Sequence, residues 1–340
     1  MKKEKITVLF DTPGPPPANQ DYTEELRDTK DTEAEYEVAR ALARSGYEVT
    51  LLGFYDKIRT IIECLQRQQP EIVFNMTEHF KGQSWLDRSI ADILEIVNVP
   101  YTGSSATALL LARDKAITKE ILTAHHIKTP RFSAFLRGRY TRYSKKLKFP
   151  LIVKPLSEDA SIGIAQASII DNEKALLERI SMVHESFKCD AIVEEFIPGR
   201  ELYVSILGNK RLRVLPIREM KFGKAPDEEN RIATYMAKWD DEYRKRWSIQ
   251  NVFARDISPE ISTKIQKICK RAYRALRLRD YGRIDIRMTP QNEIYIIEAN
   301  PNPYLARGEE FPESAKKAGI SYSKLIDRIV QLALKRYRKR

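Results

Sequence analysis

The segment that most constrains this chain is Tyr281-Gly-Arg-Ile-Asp-Ile-Arg-Met-Thr-Pro-Gln-Asn-Glu-Ile-Tyr-Ile-Ile-Glu-Ala-Asn-Pro-Asn302. Two runs of strand-forming residues flank Pro290-Gln-Asn-Glu293, so it reads as a hairpin. With those four residues as the loop, Thr289 faces Ile294, Asp285 faces Glu298 and Arg283 faces Asn300. Period-two alternation puts Arg283, Asp285, Glu298 and Asn300 on one face, with Ile284, Ile286, Ile297 and Ala299 on the other. Opposed carboxylates about 5 Å apart at Cβ repel unless positive charge lies between them. A hard divalent cation meets that need, with Asp285, Glu298 and the Asn300 amide as part of its cage. Arg283 and Arg287 meet it too, in a metal-free surface hairpin, so the hairpin alone leaves both readings standing.

The rest of the chain suggests three blocks. Apolar runs at 6–10, 48–54 and 71–75 alternate with helix-periodic segments such as 33–44 and 86–96, the pattern of an α/β domain with a parallel sheet. This first block is expected over 1–104, with a long exposed loop from Pro13 through the acidic run to Asp31. A second, α+β block over 105–195 holds a helix at 112–124, an apolar strand ending at Lys154, a polar loop at 157–163, a strand at 164–170, a helix from Asn172 and a strand at 190–196. The third block, over 196–340, is also α+β. It contains a hairpin around Gly208-Asn-Lys-Arg211, the carboxylate hairpin and helices at 259–276 and 323–336.

Composition narrows the function classes. The 340 residues carry 59 Lys and Arg against 47 Asp and Glu, a net charge of +12. Much of the excess lies at helix ends and in the tail 335–340, where cations complement a helix C-terminus, so nucleic-acid binding is not expected. The apolar run 6–10 is shorter than a signal-peptide core of about 7–15 residues, and no stretch approaches the roughly 18 apolar residues of a spanning helix. A cytoplasmic protein without a membrane partner is therefore expected. Cys64, Cys189 and Cys269 lack metal-type spacing and read as buried fillers. No nucleophile elbow and no GxGxxG occur, which removes the residues that hydrolase and dehydrogenase readings need.

Other residues point to an anionic ligand. Lys154 ends a wholly apolar strand, where an unpaired charge is costly. Ser157-Glu-Asp-Ala-Ser-Ile-Gly163 follows, a small polar loop able to offer backbone N–H groups to phosphate. Asp114-Lys115 starts a helix, where the pair serves either as cap and solvated cation or as a phosphate contact. Glu194, Glu195 and Ile197, with Glu201 beyond, could frame an adenosine, although taken alone the segment is an edge strand. His79 is a candidate substrate contact or a structural histidine.

Taken in order, these motifs resemble the D-alanine:D-alanine ligase family of ATP-grasp enzymes, over nearly the whole chain. Pro100-Tyr-Thr-Gly-Ser104, Asp114-Lys115, Phe149-Pro-Leu-Ile-Val-Lys154, Val193-Glu-Glu-Phe-Ile-Pro-Gly-Arg-Glu201, Ala237-Lys238, Gly282-Arg-Ile-Asp285 and Glu298-Ala-Asn300 carry the resemblance. It implies an ATP-grasp architecture, in which two α+β domains sandwich ATP behind an N-terminal parallel-sheet domain. It further implies that Lys115, Lys154, Ser161, Glu194, Glu195, Ile197 and Glu201 bind ATP and that Asp285, Glu298 and Asn300 hold Mg²⁺ or Mn²⁺. Lys238 and Arg283 would be catalytic, Lys238 on the phosphates and Arg283 on the tetrahedral oxyanion. The implied reaction joins a carboxylate to an amine through an acyl phosphate, on amino-acid or peptide substrates, in a homodimer. Alternatives are an ATP-binding sensor or scaffold and a modifier of protein tails.

Where the family holds its substrates this chain departs from the pattern. Asp11 to Glu37 is divergent, Ala160 and Trp239 stand where a serine and a tyrosine are expected, and Glu309-Glu310 replace a serine and leucine that would receive the second substrate's carboxylate. His79, Arg307 and Glu309 are the substrate candidates. Unless Arg307 neutralises them, two acids there would repel a free carboxylate, so a product other than D-alanyl-D-alanine is expected.

Overall fold

The computed structural model describes residues 4–14, 20–22, 33–139, 146–158, 161–223 and 232–338, organised around three sheets. The loop expected from Pro13 to Asp31 and the altered loop residue Ala160 lie largely outside them. The first sheet is built from β1 (Lys5–Asp11), β2 (Gln20–Asp21), β3 (Glu48–Phe54) and β4 (Ile72–Asn75) in the order β2-β3-β1-β4. β1 runs parallel to β3 and β4, and β2 adds an antiparallel edge. Its helices are α1 (Glu33–Arg44), α2 (Ile58–Gln68) and α3 (Asp87–Ile96). Ile6, Val8 and Phe10 enter a core with Val38 and Leu42 of α1, whereas Leu9 enters a second core with Ile61 of α2 and Ile90 of α3. Both faces of β1 are covered, so its sequence reads as a nearly unbroken apolar run.

The helix expected over 112–124 is two helices, α4 (Ala106–Arg113) and α5 (Lys115–Ala124). Asp114 between them is extended, and its carboxylate accepts the N–H groups of Ala116 and Ile117 at 2.9 Å each. Its side chain competes with helix continuation and caps the new helix instead. This break sets the position of Lys115.

The second block forms a sheet from β5 (Phe132–Phe135), β6 (Leu151–Pro155), β7 (Ile169–Ile170) and β8 (Ala191–Glu195), ordered β5-β8-β6-β7, with α6 (Glu173–Ser186) against it. Leu151, Val153, Ala191 and Val193 pack on Leu176, Ile180 and Val183 of α6. Alternation turns Lys154 and Glu194 to the opposite face. The strand expected at 164–170 shrinks to β7. The Ser168 hydroxyl accepts from the Ala165 N–H at 3.0 Å and from Arg179 at 2.7 Å, which closes a tight turn before it. Because β8 lies between β5 and β6, the edge-strand reading of Glu194 and Glu195 does not hold.

The remaining elements are β9 (Arg200–Leu207), β10 (Arg213–Val214), β11 (Arg218–Phe222), α7 (Tyr235–Trp239), α8 (Asp241–Trp247), β12 (Ile249–Phe253), α9 (Pro259–Ala275), β13 (Tyr281–Met288), β14 (Ile294–Asn300), α10 (Glu310–Lys317) and α11 (Tyr322–Tyr337). Their sheet runs β12-β11-β9-β13-β14, with β10 on β9. Leu202, Val204, Ile284 and Ile286 bury one face against Ile265, Cys269 and Tyr273 of α9. At the far end of the chain, α11 returns to the first sheet and places Leu325, Ile326 and Ile329 in the core with Ile6 and Val8. Among the described residues no helix is long and apolar enough to cross a membrane. Cys64 and Cys269 are buried free thiols, and Cys189 is half-buried.

Asp280 joins these parts. Completely buried, it accepts hydrogen bonds from the Gly103 N–H at 2.9 Å, Arg336 of α11 at 2.8 Å and the Asn209 amide at 2.8 Å. Gly103 has φ +86°, and a Cβ there would lie 2.6 Å from the Asn302 amide oxygen, so glycine is required for this approach. Replacing Asp280 with Ala strands the Arg336 guanidinium, and the expected loss is about 3–5 kcal/mol of stability. Urea unfolding of the variant measures it, and a loss below about 1 kcal/mol would contradict this role.

Candidate active site

The carboxylate hairpin pairs Arg283 with Asn300, Ile284 with Ala299 and Asp285 with Glu298. Beyond Asp285 the register shifts, so that Ile286 pairs with Ile296 and Met288 with Ile294, and the Thr289 N–H donates to the Glu293 carbonyl at 2.9 Å. The loop is therefore 290–292, one residue shorter than expected, and a bulge at Ile297 absorbs the difference. This corrects the expected facing: Ile296 enters the core, whereas Ile297 lines the cleft beside Glu298.

That cleft lies between the face of β9, β13 and β14 turned away from α9 and the face of β6 and β8 turned away from α6. It brings Lys115, Lys154 and Lys238 together with Asp285 and Glu298, while Glu194 and Glu195 of β8, Ile197 of the following turn and Glu201 of β9 line it as well. Ser161 also lines it and donates to the Ala233 carbonyl at 2.7 Å, joining two loops. Arg283 and Asn300 touch Asp285 but stand outside the lining, as do His79, Arg307 and Glu309.

Four carboxylates of the cleft wall, Glu194, Glu201, Asp285 and Glu298, already have cationic partners. Lys115 Nζ lies 3.5 Å from Glu298 Oε1 and also donates to the Glu158 carbonyl. Burial pushes the Glu298 carboxyl upward, but Lys115, Lys238, Lys154 and Arg283 outweigh it and hold the pKa at about 2. Arg283 donates to both oxygens of Asp285, at 2.7 and 3.0 Å, yet burial wins there and leaves Asp285 above its usual value. Glu194 sits between Lys154 Nζ at 3.1 Å and Lys119 Nζ at 3.3 Å. Burial would raise its pKa, and the two ammonium groups keep it below the ordinary carboxylate value. Glu201 receives Arg287 at 3.0 Å and the Tyr203 hydroxyl at 3.2 Å.

Lys119 was not singled out by sequence, and Arg287, expected as a partner for the hairpin acids, pairs with Glu201 instead, although signals were present. Lys119 follows Lys115 by one helical turn and shares its face, and Arg287 follows Asp285 by the strand period. Lys119 is fully buried and also donates to the Ile297 carbonyl at 3.2 Å, bracing the bulge.

Asp285, Glu298 and Asn300 fit a hard divalent cation, which needs oxygen donors, and their two carboxylates are opposed across one strand pair. The Asn300 amide gives its N–H to Asp285 at 3.2 Å, which leaves its oxygen as the cation donor. Among the described residues no group of three His, Cys, Asp or Glu side chains could hold a metal, so the amide is integral to this set.

The substrate candidates fall elsewhere. His79 Nδ1 lies 3.1 Å from Asp11 Oδ2, a hydrogen bond that raises the histidine pKa. Arg307 pairs with Glu37 at 3.2 Å and stacks on Tyr322, so it does not neutralise the acids at 309–310. Glu310 opens α10, buried against Arg218 at 2.9 Å and Asn251 at 2.5 Å. Its charge is already matched, and the expectation of two acids facing a substrate reduces to Glu309 alone. Burial raises the Glu309 pKa, with Glu310 adding to the rise and Arg283 opposing it. Glu35, on the first turn of α1, is a further acid: burial lifts its pKa to about 7, with Glu78 and Asp11 nearby.

Comparison with known proteins shows the family. Residues 121–331 match the family model described as D-ala D-ala ligase C-terminus. An uncharacterized protein of Sinorhizobium fredii is 32% identical over 308 residues, covering 88% of this chain and 87% of that one. A D-alanine–D-alanine ligase of Carboxydothermus hydrogenoformans is 32% identical over 305 residues, covering 87% and 91%. The crystal structure of the D-alanine–D-alanine ligase from Bacillus anthracis complexed with ATP superposes with a TM-score of 0.76 at 22% identity, covering 99% of each chain, which extends the likeness of fold to the whole molecule. The chain thus belongs to the D-alanine–D-alanine ligase-like family of ATP-grasp proteins.

Proposed function

We propose that this protein is an ATP- and Mg²⁺-dependent ligase that activates a carboxylate as an acyl phosphate and joins it to an amine. The observation that carries the reading is the convergence of Lys115, Lys154 and Lys238 on Asp285 and Glu298 in one cleft. Phosphoryl transfer is catalysed mainly by positioning and by spreading charge, and this cleft supplies both. Lys115, Lys154 and Lys238 hold the phosphates in line with the donor carboxylate. Asp285, Glu298 and Asn300 would hold Mg²⁺, which when bound neutralises charge on the β- and γ-phosphate oxygens. An oxygen of the donor carboxylate attacks the γ-phosphorus and the bond to ADP breaks. The amine then attacks the acyl carbon, gives up a proton and expels phosphate. Arg283 stabilises the oxyanion formed at that step, a role whose loss typically costs about 10²–10³ in rate.

Lys154→Ala and Glu298→Gln are each expected to lower ATP turnover by at least about 10²-fold with the fold retained. Glu194 keeps Lys119 in the first variant, so no buried carboxylate is left without a partner. Phosphate release under saturating Mg²⁺ measures the effect, and near wild-type turnover in either variant would remove these residues from the site.

Glu201 is assigned to the ribose hydroxyls of ATP. A contact present equally in ground and transition states affects binding rather than turnover. Glu201→Ala is accordingly expected to raise KM for ATP about ten- to a hundredfold with kcat nearly unchanged. A collapse of kcat at constant KM would place Glu201 elsewhere in the mechanism.

The substrates are proposed to be amino acids or peptides other than two D-alanines. Support comes from Glu309, an acid within the field of Arg283, and from the acids Glu35, Asp11 and Glu78 grouped near the first turn of α1. These favour an acceptor with a cationic or amidated group over one with a free carboxylate. Phosphate release with ATP, Mg²⁺ and a panel of amino acids and dipeptides tests this. If D-alanine with itself matches the rate of the best pair, the substrate assignment is wrong.

A further inference from the structure

Arg287 is a nearly fully buried arginine whose guanidinium reaches three groups of one short segment. Nη1 donates to the carbonyls of Ile197 at 3.2 Å and Gly199 at 3.3 Å, and Nη2 donates to Glu201 Oε2 at 3.0 Å. Its plane also lies 5.3 Å from the centre of the Phe196 ring. The segment cannot readily reach this arrangement another way. Gly199 has φ +122°, and any Cβ there would collide with the Met288 carbonyl, so the chain passes directly over β13. Without Arg287, two carbonyls and a carboxylate would face one another at the cleft wall.

We propose that Arg287 is a positioning residue for nucleotide recognition, which locks residues 196–199 and the Glu201 carboxylate in the arrangement that receives the ribose of ATP. The inference rests on the reading of the cleft as an ATP site. A planar fork with five donors can bridge carbonyls and a carboxylate at once, which the point charge of a lysine cannot. Glu201 remains able to serve a ligand, because each carboxylate oxygen accepts more than one hydrogen bond and Arg287 and Tyr203 take one on each. A carboxylate paired in this way stays ionised, and ionised acceptors bind hydroxyls about twice as strongly as neutral ones. Arg287 thus acts on the ribose through Glu201 rather than through a contact of its own.

Calorimetric titration of the full chain with ATP and with 2′-deoxyATP, in Mg²⁺, distinguishes this from a merely structural role. The wild type is expected to bind ATP about tenfold more tightly than 2′-deoxyATP, since one hydrogen bond to a charged group is at stake. Arg287→Met should weaken ATP about tenfold and 2′-deoxyATP much less, bringing the ratio close to one. The double variant with Glu201→Ala should bind ATP no worse than Glu201→Ala alone. Should Arg287→Met fail to fold, Arg287→Lys carries the test, with a ratio between those of wild type and Glu201→Ala. Equal weakening of both nucleotides, or a double variant clearly weaker than Glu201→Ala, overturns the inference while leaving the ATP site intact. Equal affinity of the wild type for both nucleotides overturns the ribose assignment and the inference with it.

Discussion

Burying a charge without a partner is among the costliest things a folded chain can do, and this protein concentrates buried charges along one cleft. Asp285 holds Arg283, Glu298 faces Lys115, Glu194 lies between Lys119 and Lys154, and Glu201 holds Arg287. With Lys238, three lysines line the cleft where a polyphosphate would meet them, and the proposed divalent cation would settle on the carboxylates that the lysines now share. The two facing sheets owe their relative placement to such pairs as well as to packing, because Lys119 on α5 reaches both Glu194 of β8 and the Ile297 carbonyl of β14.

The bulge in β14 shows how backbone geometry serves chemistry. A regular hairpin would have placed Ile297 in the core and kept a strict alternation around Glu298. The extra residue instead turns Ile297 and Glu298 together toward the cleft, so that an apolar surface lies beside the metal-type carboxylate. The fully buried Lys119 holds the carbonyl of that bulge, which fixes a local irregularity with a long-range contact. A second such constraint is Asp280, where one carboxylate binds a loop of the first block, a turn of the third and the last helix.

Much of the backbone was legible along the chain because the signals are local. Apolar runs alternating with helical periodicity announced the parallel pairing of β1 with β3 and β4, and the opposition of Asp285 to Glu298 followed from strand period and turn position. The misreadings each have a local competitor. Asp114 preferred to cap rather than continue a helix, Ser168 turned the chain where a strand was expected, and the hairpin loop closed one residue early. At the site, the family-type residues Lys115, Lys154, Glu194, Glu201, Lys238, Asp285 and Glu298 line the cleft, whereas Lys119 and the true pairing of Arg287 escaped notice because the partners, Glu194 and Glu201, are 75 and 86 positions away along the chain.

The sequence by itself determined the order of the elements, the family and the chemical types gathered around the hairpin, since periodicity, turn residues and motif spacing are properties of neighbours. Only the tertiary structure decided which charges meet. Glu309 and Glu310 are adjacent in sequence and look equivalent there, yet Glu310 is buried against Arg218 and Asn251 while Glu309 lies in the field of Arg283. Arg307, three residues from Glu310, pairs with Glu37 instead. Electrostatic energy depends on distance and burial in three dimensions, and neither is encoded in separation along the chain.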